Sequence, residues 1–96
     1  MTLLDEVKLS LRVKTDAFNG EIQSLIEAAK LDLYNAGINI PEEPEEPDSL
    51  LKQAIKTYCR INFGNYEKAE DLRKAYNSLV IKLQVAEGYK RSGENG

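Results

Sequence analysis

The chain has no histidine, no tryptophan and a single cysteine in 96 residues. Without histidine it lacks the commonest general base and the commonest ligand for a transition metal. Cys59 closes no intramolecular disulfide and fits a reducing compartment. No apolar run approaches the roughly 18 residues needed to cross a bilayer. No basic segment followed by an apolar one opens the chain, so neither a membrane span nor a signal peptide is expected. Positive charge is not in excess: the net charge of −3 disfavours a general nucleic-acid binder. The length is that of one domain with one modest core.

What is present is helical periodicity. Leu4, Val7 and Leu11 recur at spacings of three and four, one face of a helix over about residues 2–12. Asp5 and Glu6 fall in its first turn, where the helix dipole favours negative charge. Thr15 or Asp16 is the candidate N-cap of a second helix. Phe18, Ile22, Leu25, Ile26, Ala29 and Leu33 form its apolar stripe, and Gly37 suits a left-handed cap at its end. Asn19-Gly20 lacks the alternating flanks of a hairpin. Asp48 or Ser49 caps a third helix, whose apolar face holds Leu51, Ala54, Ile55, Tyr58 and Cys59 and which ends at Gly64. Asn65 opens a fourth, with Ala69, Leu72, Tyr76, Leu79 and Leu83 in register to about Val85. The expected fold is all-α: a small four-helix domain over residues 1–85, with a short first helix and two longer ones, helices 2 and 4. Residues 86–96 read as a flexible, glycine-rich C-terminal tail.

The three prolines all lie in INIPEEPEEP, residues 38–47, which is therefore a loop. Residues 39–48 carry Glu42, Glu43, Glu45, Glu46 and Asp48 without a base, a local −5 that leaves the rest of the chain at +2. Acid catalysis by a carboxylate pair needs a rigid separation and divergent pKa values, and a solvated loop provides neither. An EF-hand needs its central glycine, and this loop has none. No catalytic residue, metal site or cofactor site is expected, and the protein reads as a non-enzyme. Cys59, four residues after Ile55 and without a histidine to activate it, reads as core. Tyr58 and Tyr76 lie on apolar stripes. Tyr34, Tyr66 and Tyr89 lie nearer helix ends, where tyrosine suits an interface. Lys52, Lys56 and Arg60 form one basic line along helix 3.

The order of these segments resembles the head–tail connector (adaptor) family of tailed bacteriophages. The resemblance runs from Leu3 to about Leu83. It rests on LLDEVKLSLRV, on EIQSLIEAAK and on LLKQAIKTYCRINFGN, where an aromatic residue and a glycine, Phe63 and Gly64, precede AEDLRKAYNSLVIKL. It implies a structural protein of a phage or prophage, made in the bacterial cytoplasm and placed at the head–tail interface of the virion. Copies would form a ring of about a dozen subunits on the portal protein, closing by head-to-tail contacts. Such a subunit can be a monomer until a template gathers it. The ring would extend the DNA channel, pass DNA without specific binding, and offer a platform to stopper or tail-completion proteins. On this reading polar faces of helices 2 and 4 meet between subunits. Tyr89, Lys90 and Arg91 dock on the portal, and Glu42, Glu43, Glu45 and Glu46 face the channel or a partner. Two other classes fit the residues: a small DNA-binding regulator acting through Lys52, Lys56 and Arg60, and a helical protein-interaction module of host origin.

Overall fold

Thr2 starts the first helix, α1 (Leu3–Leu11). Its Oγ1 accepts from the Asp5 N–H at 3.1 Å, and Asp5 Oδ2 accepts from the Thr2 N–H at 3.2 Å. This reciprocal box satisfies donors that a helix start otherwise leaves bare. The hydrogen bonds from the backbone and then the side chain of Thr2 hold the Asp5 carboxyl below its ordinary range.

The structure, a computed structural model, describes residues 1–42, 45–63 and 68–89. Its further helices are α2 (Asn19–Asn35), α3 (Ser49–Asn62) and α4 (Ala69–Val85), followed by a 3₁₀ turn at Glu87–Tyr89. No strand occurs among the described residues. The expected all-α, four-helix domain is present, and α2 and α4 are its longest helices at 17 residues each. The expected end of helix 3 at Gly64 and the cap at Asn65 lie outside the described residues, as does Tyr66.

Helix ends explain the chain reversals. Arg12 closes α1 in the left-handed region with φ 60°, and the Val13 N–H reaches back to the Lys8 carbonyl at 2.9 Å. Gly37 does the same for α2 with φ 90°, and the Ile38 N–H bonds the Leu33 carbonyl at 3.1 Å. Both are Schellman-type closures, and the second is the cap expected of Gly37. Asp48 caps α3 by accepting from the Leu51 N–H at 3.0 Å.

The start of α2 differs from expectation. Neither Thr15 nor Asp16 caps it; Phe18 occupies the cap position and makes no side-chain cap hydrogen bond. The Asp16 carboxylate is drawn instead to Lys8 of α1 at 2.7 Å, and Thr15 Oγ1 accepts from the Ala17 N–H at 3.1 Å. Phe18 is therefore not part of the α2 stripe. It lies edge-on to Phe63 at 5.7 Å and ties the start of α2 to the end of α3.

Helix α3 is the centre. It packs against α1, α2 and α4, while α1 also packs on α2. The core is Val7 and Leu11 of α1, Ile22, Ile26, Ala29 and Leu33 of α2, Leu51, Ala54, Ile55 and Cys59 of α3, and Tyr76 and Leu83 of α4. Ile38 is also fully buried, although it belongs to the proline loop. Burial pushes the Cys59 thiol up to about 12, which suits an inert core residue. Tyr76 leans on Tyr58 at 5.7 Å and donates from its hydroxyl to Asp32 of α2 at 2.5 Å.

A left-handed arginine suggests a test. A non-glycine residue there carries a steric penalty that glycine avoids. Arg12 is exposed, so little is lost with its side chain. Arg12→Gly is expected to raise stability by about 1 kcal/mol, read as a higher urea midpoint with an unchanged slope.

Candidate functional site

The described residues gather no three histidine, cysteine, aspartate or glutamate side chains into a metal-binding group. No helix is long and apolar enough to cross a membrane. The surfaces that remain are the proline loop, the basic line of α3, the end of the chain and several exposed apolar patches.

The proline loop is tethered at both ends. Ile38 and Pro47 are buried, and Ile40 packs against the core. Between these anchors Glu42 and Glu45 are exposed, with the Glu45 N–H bonded to the Glu42 carbonyl at 2.9 Å. Glu46 is exposed too, but its carboxylate lies 3.2 Å from Lys52 Nζ. Glu43 lies outside the described residues. Glu42, Glu45 and Glu46 thus reach solvent, with Glu46 engaged by α3.

The basic line of α3 turns toward α1. Lys52 Nζ lies 2.9 Å from Glu6 Oε2, and Lys56 Nζ lies 3.6 Å from Glu6 Oε1. All three side chains are largely covered. The hydrogen bond from Lys52, and then the charges of Lys52 and Lys56, hold the Glu6 carboxyl below its ordinary value despite partial burial. Lys52 is raised in turn, first by Glu6 and then by Glu46. Arg60 is half-buried. This line is an internal brace before it is a nucleic-acid surface.

Of the segment expected to be a flexible tail, residues 86–89 are described. Ala86 and Tyr89 are half-buried, and the Tyr89 N–H bonds the Ala86 carbonyl at 3.1 Å. After α4 the 3₁₀ turn carries Tyr89 back to the start of α3, where its hydroxyl donates to the Asp48 carboxylate. The Tyr89 carbonyl accepts from the Asn39 N–H at 2.6 Å, and its ring packs against the core. Gln84 Nε2 adds a bond to the Ala36 carbonyl at 3.0 Å. Burial pushes the Asp48 carboxyl up, but bonds from Tyr89 and from the Leu51 and Leu50 N–H groups outweigh it and leave the group lowered. Tyr89 itself is raised, first by its bond to Asp48. Of the residues expected to dock on a portal, Tyr89 is thus already engaged inside the domain. Lys90 and Arg91 lie outside the described residues. Sequence reasoning missed this clasp because residues 86–96 read as one glycine-rich tail, with Gly88 breaking the helix. The available signal was an aromatic one residue beyond that glycine.

Apolar side chains also reach solvent. Leu31 and Tyr34 of α2 are 60% and 48% exposed, and Ile81 and Val85 of α4 are 59% and 71% exposed. Leu31 and Tyr34 border an open groove of about 650 Å³ completed by Ile40 and Pro41, with Glu27, Lys30 and Glu42 around it. Tyr34 was expected to suit an interface, whereas Leu31, Ile81 and Val85 were not singled out in the sequence because they lie off the stripes that build the core.

Among the described residues this is a small four-helix domain with apolar side chains set out on the flanks of α2 and α4. The chain belongs to the phage connector protein family, whose profile matches residues 3–90. The family is structural. Comparison with curated proteins and with solved structures gave no match.

Two outcomes follow from these contacts. Tyr89→Phe removes a donor to a carboxylate and is expected to cost about 1 kcal/mol, measured by denaturant unfolding, with the helical signal unchanged. The Glu6 pairing, with a folded pKa lowered from the ordinary 4.5, adds stability that is complete above that value and lost as pH falls through the folded pKa. Thermal melts from pH 7 down to 3 are expected to show a shallower loss for Glu6→Gln than for the parent, with the variant already less stable by a few degrees at pH 7.

Proposed function

We propose that this protein is a head–tail connector subunit that assembles as a ring beneath the portal of a tailed phage or prophage. The observation that carries the reading is the family match, which spans nearly the whole chain from residue 3 to residue 90. In this reading copies close a ring of about a dozen, continue the DNA channel and present a platform to stopper or tail-completion proteins. The partners are the portal protein, those completion proteins and the subunit itself. Assembly takes place in the cytoplasm of the bacterial host, and the product sits at the head–tail interface.

Electrostatics support a conduit. Glu42 and Glu45 are exposed on one loop, joined there in sequence by Glu43, and like charge disfavours adhesion of a DNA backbone. Lys52 and Lys56 share Glu6, so the α3 line has little free charge to release counterions from a duplex. The same pairing counts against the regulator reading.

The portal dock falls on the segment that leaves the domain at Tyr89, with Lys90 and Arg91 as its first charges. Tyr89 acts there as the anchor that fixes where the segment emerges, and it touches the portal only if its bond to Asp48 opens.

The test is electron microscopy of purified protein mixed with portal rings from the same genome. Added ring density beneath the portal is the expected result, and its loss when residues 90–96 are deleted places the dock in that segment. Portals left bare at high protein concentration would overturn the reading. A ring that survives the deletion would overturn the dock alone.

A further inference from the structure

The two apolar patches on α2 and α4 differ in shape and in charge. Leu31 and Tyr34 are three residues apart and form one continuous spot. By helical geometry they face largely away from Ile22, Ile26, Ala29 and Leu33, the buried side of α2. With Ile40 and Pro41 they wall a groove. Ile81 and Val85 are four residues apart and stand opposite Tyr76 and Leu83, the buried side of α4. They form a ridge. Single exposed apolar residues are common on soluble proteins, but these are paired, and each pair lies on the outward side of its helix.

Charge distinguishes the patches further. The groove carries Glu27 and Glu42, with Lys30 3.8 Å from Glu27. Exposed Lys82 lies beside the ridge and exposed Lys74 about two turns before Ile81, with the acidic Glu70 and Asp71 a further turn away; no carboxylate pairs with either lysine among the described residues. Groove against groove brings acids together, and ridge against ridge brings lysines together. Groove against ridge joins opposite charges over an apolar centre, which is the arrangement that fixes register in a specific contact.

We propose that the Ile81–Val85 ridge of one copy seats in the Leu31–Tyr34 groove of the next, a head-to-tail contact between unlike surfaces. The proposal rests on the ring reading above and names the faces that make the ring. The subunit contact is then apolar at its centre and charged at its edge, on the same two helices whose polar faces the sequence had suggested. The contact is small. Its four central side chains bury far less than the roughly 1,200 Å² of a stable standard interface. It is therefore weak between free subunits and closes when a template holds them side by side.

Two full-length variants, Leu31→Cys and Val85→Cys, test this when mixed, with and without portal rings, and treated with a short bis-maleimide. Both positions are exposed, and buried Cys59 of the parent chain gives the background. The expected product is the 31–85 pair, about tenfold above either self-pair on the portal because neighbours are held at high effective concentration. Self-pairs in excess, or no 31–85 product in either setting, would overturn the contact. Co-sedimentation with portals, read in the same samples, separates the two ideas. Portal binding without the 31–85 pair leaves the connector reading standing, and the pair without portal binding leaves the contact standing and removes the head–tail reading.

Discussion

Every helix of this domain buries its apolar stripe against α3. Leu51, Ala54, Ile55 and Cys59 are fully covered because α1, α2 and α4 all pack on α3. Helix packing of this kind supplies most of the stability that short helices lack in isolation. The consequence for α4 is specific. Polar bonds also tie it to α2 and to the residue that caps α2, from Tyr76 to Asp32 and from Gln84 to the Ala36 carbonyl. α4 therefore takes its position from α3 and its alignment from those bonds.

The start of α3 is where the separate parts of the chain converge. Asp48 caps the helix with one carboxylate oxygen and accepts from Tyr89 with the other. Lys52, one turn on, holds Glu6 of α1 and Glu46 of the proline loop. Chain segments that are far apart in sequence are thus fixed within one turn of one helix. Such partly covered charge pairs add little net stability beside apolar burial. What they add is a defined position for the loop and for the end of the domain, the two segments through which the family reading assigns contact with the channel and the portal.

The helices were legible because their periodicity is strong and their stops are chemically plain. Gly37 was recognisable because only a left-handed residue closes α2 there, and Val7, Ile26, Leu33 and Cys59 because they fall on stripes. The features that escaped are those set by partners distant in the chain. Asp16 is a good cap by composition, yet a lysine one helix away takes its carboxylate. Ile38 reads as loop beside three prolines but is fully buried, since it follows the cap that turns the chain inward. Tyr89 sits in a segment of low apparent order and is held by an aspartate 41 residues earlier. Lys52 and Lys56 read as a solvated or DNA-facing line until Glu6 of α1 is placed opposite them. Composition gave the polarity of the surface correctly. It could not show which charges the fold itself consumes.

That distinction bears on how so small a subunit can join large assemblies. Charges already engaged inside the domain, at Glu6, Lys52 and Lys56, are poor partners for another chain because breaking them leaves covered charge unpaired. Among the groups left for contact are Glu42 and Glu45 on the loop, Lys74 and Lys82 on α4, and the exposed side chains of Leu31, Ile81 and Val85. They are spread over separate flanks, and the proposed contact on any one flank is smaller than a stable interface needs. Spread contacts of that kind gain strength by adding up around a closed ring, where each subunit is held by two neighbours and a template at once. On the proposed reading, a subunit that kept its strong interactions for its own core, and only weak ones for its neighbours, would assemble where a portal gathers it and stay apart elsewhere.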